Sequence, residues 1–244
     1  MPREALKAFD LKAIGIAWAL LTACGGDKPT SAPEDSLLMA SESATFENVA
    51  RLGPHRFQAT TTRESPEGEY KTTEEVRMAW ADWDNFQLQR YRNERLRAEN
   101  RVLHGKAYAK SGNGRFRQAR DAELYRVEMR HSASSWGQVL EPFTGRVLVQ
   151  SEENAMFNGR PAQRYTLSLE EAPNPSKGHI PLALNGEMWI DETTAIRLYG
   201  RLSGRYLKNG DKRKETLIAL ELNRTEIGIV PVIERPSEVR RSRF

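Results

Sequence analysis

The chain holds one thiol, Cys24, inside LLTACGG (residues 20–26), and four histidines, His55, His104, His131 and His179. A lone cysteine can serve as a nucleophile, a metal ligand, half of a disulfide or an attachment point, and its neighbours decide between these roles. Here it closes an uncharged run, AIGIAWALL (residues 13–21), which follows Arg3, Lys7 and Lys12. A basic start, a short apolar core and then small residues is the order of a secretory signal. The run falls short of the roughly 20 residues that span a bilayer as a helix. The histidines are too scattered for metal-ligand spacing. His131 lies beside three serines in HSASSW (residues 131–136), but residues one apart on a helix do not face each other. DWDN (residues 82–85) has the composition of a solvated turn between strands. The sequence contains no glycine-rich phosphate loop, HExxH, GxSxG or Ser-x-x-Lys. No motif assembles a base, a nucleophile and an oxyanion donor. The expectation is a non-enzyme with no cofactor and no metal.

Leu21-Thr22-Ala23-Cys24 resembles the lipobox of bacterial lipoproteins: an aliphatic residue, a small one, Ala or Gly, then cysteine. The resemblance implies cleavage before Cys24, a diacylglycerol on its thiol and a fatty acid such as palmitate on the new N-terminus. Each buried methylene contributes about 0.8 kcal/mol, and two acyl chains already give stable anchoring. Lipidation would leave no thiol for a disulfide, a cysteine nucleophile or a thiolate zinc site. Gly25, in place of Asp directly after the cysteine, implies sorting to the outer membrane, facing the periplasm. Four segments follow: a signal peptide (1–23), a lipidated cysteine and tether (24–41), a folded domain (42–234) and a basic tail (235–244). The tether contains GGDKPTSAPED, whose Gly, Pro and Ser content favours a coil spanning about 23 Å.

Removing residues 1–23 takes away Arg3, Lys7 and Lys12 with Glu4 and Asp10, leaving 34 Lys+Arg against 31 Asp+Glu. So even a balance gives no reason to expect a nucleic-acid partner. One stretch is locally basic. QRYRNERLRAENR carries Arg90, Arg92, Arg95, Arg97 and Arg101. These arginines form either the solvated face of strands or a contact for lipid head groups or anionic polysaccharide.

The elements that would position such groups are mostly strands. In YKTTEEVRMAW, Tyr70, Val76, Met78 and Trp80 fall on even positions, with Lys71, Glu75 and Arg77 on odd ones; this is the period of a half-buried strand. LRAENRVL, QRYTLSL, IRLYGRL and TLIALEL extend the series. Asn-Gly pairs at 113–114, 158–159, 185–186 and 209–210 predict tight hairpin turns and hence an antiparallel meander. HIPLALNG (residues 179–186) reads as an exposed apolar tip or as a strand entering the Asn185-Gly186 turn. Two helical segments interrupt: SATFENVARLGP, with Phe46, Val49 and Leu52 on one face before a Gly-Pro stop, and residues 121–143. The second opens on Asp121 as N-cap and places Trp136, Val139, Leu140 and Phe143 at helical spacing before or around Pro142. The fold class expected is α+β, mainly β, with helices covering the apolar face of an antiparallel sheet.

GEMWIDETTAIRLYGRLSGRY (residues 186–206) resembles a hairpin of the LolA/LolB and LppX type of envelope lipoprotein, through Gly186, Met188, Trp189, Ile190, Asp191, Thr194, Ile196 and Leu198. The resemblance implies an open half-barrel: a curved antiparallel sheet with helices closing its concave face and acyl chains held between. It implies a role in lipid or lipoprotein trafficking. The tether and the polar RESPEGEY depart from the soluble shuttle and from the apolar-loop acceptor of that group. The inward candidates for lining a ligand space are Val76, Met78, Trp80, Phe86, Leu88, Trp136, Val139, Leu140 and Leu198. Their alternative is to pack on each other. Expected partners are a membrane through the lipid anchor and a lipid or acyl-chain ligand. Alternatively, they are proteins of an envelope complex in which this lipoprotein is a scaffold.

Overall fold

Period-two patterning puts every second side chain of a strand on one face, and β1 (His55–Glu64) buries His55, Phe57, Ala59 and Thr61 in that rhythm. The computed structural model describes residues 46–133, 135–143, 147–169, 178–208, 211 and 214–240. The segments expected to be a signal peptide and a tether, with Cys24 between them, lie outside the described residues. A short helix α1 (Phe46–Leu52) leads into β1, and the chain continues through β2 (Lys71–Asp82), β3 (Asn85–Arg92), β4 (Arg95–Leu103), β5 (Lys106–Ser111) and β6 (Phe116–Gln118). Helices α2 (Glu123–Ala133) and α3 (Ser135–Leu140) and a 3-10 turn at Glu141–Phe143 interrupt. Strands β7 (Val147–Phe157), β8 (Arg160–Leu169), β9 (His179–Asp191), β10 (Arg197–Lys208), β11 (Glu215–Thr225) and the short β12 (Val239–Arg240) complete the fold.

These twelve strands form one curved, open sheet in the order β12-β6-β5-β4-β3-β2-β1-β11-β10-β9-β8-β7. All pairings are antiparallel except that of β12 with β6. The sheet is the half-barrel expected, with β1 brought beside β11 to unite the two meanders. Two-residue hairpin turns of type I′ require positive φ at both positions. Asn158-Gly159 supplies φ of 50° and 78°, but so do Asn93-Glu94 (49°, 63°) and His104-Gly105 (49°, 73°).

The expected turn at Asn185-Gly186 is corrected: both residues lie inside β9. Gly186 is there for closeness rather than for bending. It pairs with Leu202 of β10 and Leu167 of β8, and a Cβ on it would stand 2.7 Å from the Arg201 carbonyl oxygen. The pair at 209–210 lies outside the described residues. HIPLALNG is strand, with Ile180 and Leu182 partly exposed and Leu184 buried.

One face of the sheet is covered. Val49 and Leu52 of α1, Met129 of α2, Val139 and Leu140 of α3, and Phe143 pack into a single cluster with Phe57, Met78, Trp80, Phe86, Leu88, Val102, Met188, Leu198, Leu202 and Leu220. Helix α2 starts where Asp121 Oδ1 accepts the Glu123 amide at 2.8 Å, the N-cap expected. The 3-10 turn presses on β10 so closely that a Cβ on Gly204 would lie 2.5 Å from Phe143 Cζ. The other face carries cross-strand ion pairs such as Lys71–Glu64, Arg164–Glu187 and Arg205–Glu215.

After β11 the chain crosses back towards the opposite edge. The Gly228 amide donates to the Pro54 carbonyl (2.7 Å), an Arg101 Nη1 donates to the Glu234 carbonyl (2.6 Å), and Arg115 pairs with Glu238 (3.2 Å). Residues 235–240 of the segment read as a tail are therefore joined to the sheet edge, ending in β12. Among the described residues, no helix is long and apolar enough to cross a membrane.

Candidate functional site

Val76 on β2 stands opposite Arg90 on β3, which stands opposite Ala98 on β4. This row runs across the covered face under α2. The helix meets it with Leu124, Val127, Glu128 and His131, spaced i, i+3, i+4, i+7 and so on one helical face. Glu128 ties the two layers together: Arg90 is ion-paired to its carboxylate, and the buried Asn100 of β4 donates to it through Nδ2 at 2.5 Å. Between helix and strands lies a groove of about 750 Å³ lined by Val76, Ala98, Leu124 and Val127, with Arg92 and Arg97 among its polar walls. Cavities of about 560 and 420 Å³ on the opposite face are floored by strand side chains such as Thr62, Ser203 and Ala219. The groove differs in having a helical roof.

The five clustered arginines divide into two groups. Arg101 pairs with the buried Glu99 at 2.6 Å, together with Lys110 at 2.9 Å, and Arg90 is held by Glu128. Arg92 faces Arg95 directly across the β3–β4 hairpin. The guanidiniums of Arg92, Arg95 and Arg97 have no acidic partner among the described residues.

The residues expected to line a ligand space are distributed unevenly. Met78, Trp80, Phe86, Leu88, Val139, Leu140 and Leu198 are brought together, but in the core cluster, none more than 5% exposed. Val76 is half-buried and lines the groove. Trp136 is in α3, with its side chain outside the described residues, as is Cys24. Leu124, Val127 and Ala98 were not singled out in the sequence. The signal for the first two was present in ELYRVEMRH as the spacing Leu124, Val127, Glu128, His131.

Two further polar groups enter the covered face. Arg224 of β11 is buried opposite Phe57, with its guanidinium 4.8 Å above that ring and a hydrogen bond donated to the Arg197 carbonyl. Burial lowers its pKa to about 10. Nearby, His55 donates from Nδ1 to the Gly53 carbonyl at 2.9 Å. Its pKa is lowered to about 3, first by burial and then by the charge of Arg224. Its Nε2 and the Trp80 indole nitrogen are buried without a hydrogen-bond partner.

Asp191 explains the hairpin motif. Its Oδ1 accepts the Thr194 amide (2.8 Å), the Thr194 hydroxyl (2.8 Å) and the Thr193 amide (3.1 Å), and Arg160 Nε donates to Oδ2 at 2.6 Å. Burial works to raise this carboxyl, but the bonds from Arg160 and Thr194 outweigh it and hold it below the usual carboxylate range. Ala195 then takes φ of 56° to reverse the chain. This is a structural turn. No His, Cys, Asp or Glu cluster of metal-binding geometry occurs among the described residues.

No family model matches the chain, and no curated protein matches it. Among solved structures it is similar to LprF from Mycobacterium bovis, at 15% identity over 85% of this chain and 99% of that one, with a TM-score of 0.36. It is also similar to MucB, at 14% identity over 81% of this chain and 60% of MucB, with a TM-score of 0.32. A LolA superfamily protein from Nitrosomonas europaea is similar at 10% identity over 78% of this chain and 90% of that one, with a TM-score of 0.25.

Proposed function

We propose that this chain is a non-catalytic envelope lipoprotein, moored through Cys24 at the outer membrane and facing the periplasm, that binds an acyl chain or similar apolar ligand under α2. The observation that carries this reading is the groove of about 750 Å³ between α2 and β2–β4, a volume within the usual 300–1,000 Å³ of small-molecule sites. Val76, Ala98, Leu124 and Val127 would replace water around the chain, at about 25 cal/mol per Å² of apolar surface. The deeper candidates, Met78, Phe86 and Leu88 among them, pack in the core beside the groove rather than line it. Ala98 supplies the space, because a larger side chain on that row would fill it.

The test is uptake of a fluorescent fatty acid by the purified protein, together with native mass spectrometry for co-purifying lipid. Saturable uptake that Ala98→Trp abolishes supports the reading. No lipid and no uptake overturn it. For the anchor, Cys24→Ser should release the protein from membranes and abolish labelling by radioactive palmitate. A variant that stays membrane-bound would refute anchoring at that sulfur.

A second reading, a scaffold in an envelope complex, is favoured by one observation. Ile229, Val230 and Val232, on the segment that crosses from β11 to β12, are 59–82% exposed, an aliphatic cluster of the kind that marks contact surfaces. Loss of a co-isolated envelope protein on Val230→Ser and Val232→Ser, with fatty-acid uptake unchanged, would favour it.

A further inference from the structure

We infer that the ligand of the α2 groove is an anionic amphiphile whose phosphate head sits on Arg92, Arg95 and Arg97, with its acyl chain under α2. This inference rests on the groove being a ligand site, as proposed above. Its own support is electrostatic. Arg92 stands between two direct cross-strand partners, Glu74 of β2, which is ion-paired to Arg63, and Arg95 of β4, and like charges directly opposite each other destabilise a sheet. Elsewhere in this region arginines are neutralised: Arg63 by Glu74, Arg77 by Glu75, Arg90 by Glu128 and Arg101 by Glu99. Those pairings occupy the acidic walls of the groove, Glu74, Glu75 and Glu128, and leave the cations at its mouth in excess. A bound dianion would remove the repulsion that the empty hairpin carries.

The hairpin tip is also held in place, as a recognition element must be. The Asn93 amide donates to the Thr73 carbonyl at 2.7 Å, and the Thr73 amide donates back to Asn93 Oδ1 at 2.9 Å, which fastens the turn to β2. Guanidinium is the group suited to such a head, because its planar fork donates two parallel hydrogen bonds to phosphate oxygens. Arg92 and Arg97 share the groove wall with Val76, Leu124 and Val127. One molecule with a charged head and an aliphatic tail satisfies both parts of that lining; a neutral chain or a free anion satisfies only one.

The experiment compares lysophosphatidic acid with a monoacylglycerol of the same chain length, and with inorganic phosphate, by titration into the purified protein. Lysophosphatidic acid should bind about tenfold tighter than the neutral lipid, and the advantage should shrink at high salt. The double variant Arg92→Gln, Arg97→Gln should bring the ratio to about one, with an unchanged thermal unfolding midpoint showing that it is folded; a ratio that stays near ten in the folded variant overturns the head-group assignment. Ala98→Trp should weaken both lipids. Equal affinity for the two lipids in the wild-type protein overturns the head-group assignment and leaves the apolar site standing. Binding of neither lipid overturns the site itself. Inorganic phosphate that displaces lysophosphatidic acid completely at millimolar concentration assigns the arginines to a free anion and overturns the lipid source.

Discussion

Acidification from pH 7 to pH 5 should loosen this fold through one side chain, His55. In the folded state its pKa is lowered to about 3, against an ordinary value near 6.5. Protonation would bury a second cation beside Arg224, which has no carboxylate partner among the described residues, so the folded protein keeps the imidazole neutral. The unfolded chain takes up the proton below about pH 6.5. Between about pH 3 and 6.5 the unfolded state therefore holds more protons, and stability falls as pH falls through that window. pH 5 lies about 1.5 units below the ordinary pKa of the ring, and at 1.36 kcal/mol per unit the loss is about 2 kcal/mol. Full development of the effect, near pH 3, would cost the fold more than twice that.

Asp191 and Glu99 work in a lower range. Both carboxyls are held below their usual values, so the stability they contribute is present above the ordinary carboxylate pKa and is lost only as pH falls beneath it. The assay is urea unfolding at pH 7, 6 and 5 of the wild-type protein and of His55→Asn, whose amide can still donate to the Gly53 carbonyl. The wild-type protein should lose about 2 kcal/mol more than the variant between pH 7 and 5. Parallel losses would refute the reasoning, as would a His55 ring resonance in the folded protein that titrates near 6.5.

Two further substitutions probe the architecture around the site. Asp191→Asn removes the charge that gathers Arg160, Thr193 and Thr194, and should lower stability by about 3 kcal/mol in chemical denaturation, with faster amide exchange at Thr194. Gly204→Ala drives a methyl group against Phe143 and should cost about 1–3 kcal/mol; Phe143→Leu in the same chain should recover part of the loss, which a double-mutant cycle in thermal unfolding would measure.

Sequence periodicity carried much of this fold because the sheet is built from local repeats. Val76, Met78 and Trp80 alternate in the chain and alternate in the sheet, and Val49 with Leu52 marks the buried side of α1. The failures share a cause. At Asn185-Gly186 the dipeptide favours a turn, but the constraint that decides the position is the backbone of β10, which lies far away in sequence. Arg224, not singled out in the sequence, shows the opposite conflict. Counting by twos from Ile218, Leu220 and Leu222 leads to an inward side chain at 224, while its charge argues for solvent, and the alternation prevailed. Glu99 is buried on the other face for an equally nonlocal reason: Arg101, Lys110 and Gln87 close around it. The groove was legible only in fragments, Val76 and the spacing of Leu124 and Val127, since its walls come from strands and a helix whose mutual position only the folded chain sets.

Where the groove falls has a physical reason in the cover. Helices of seven, eleven and six residues are about 10, 17 and 9 Å long at 1.5 Å per residue. Twelve strands about 4.8 Å apart make a sheet roughly 50 Å wide. Among the described residues these helices are shorter than the sheet is wide, so part of its apolar face is filled by the sheet's own side chains and part is left as a groove. Over β9 and β10 the gap is closed by direct contact, Phe143 lying against the bare backbone of Gly204. Over β2–β4 the chain does the reverse. Ala98 is small, and Glu128 meets Arg90 and Asn100 where aliphatic partners would draw the helix down. A polar strut of this kind, Arg90 and Glu128 being partly exposed, keeps two surfaces at hydrogen-bonding distance rather than at the closest packing distance. Retaining the strut holds space open beneath α2, and the unpaired arginines stand at the mouth of that same space.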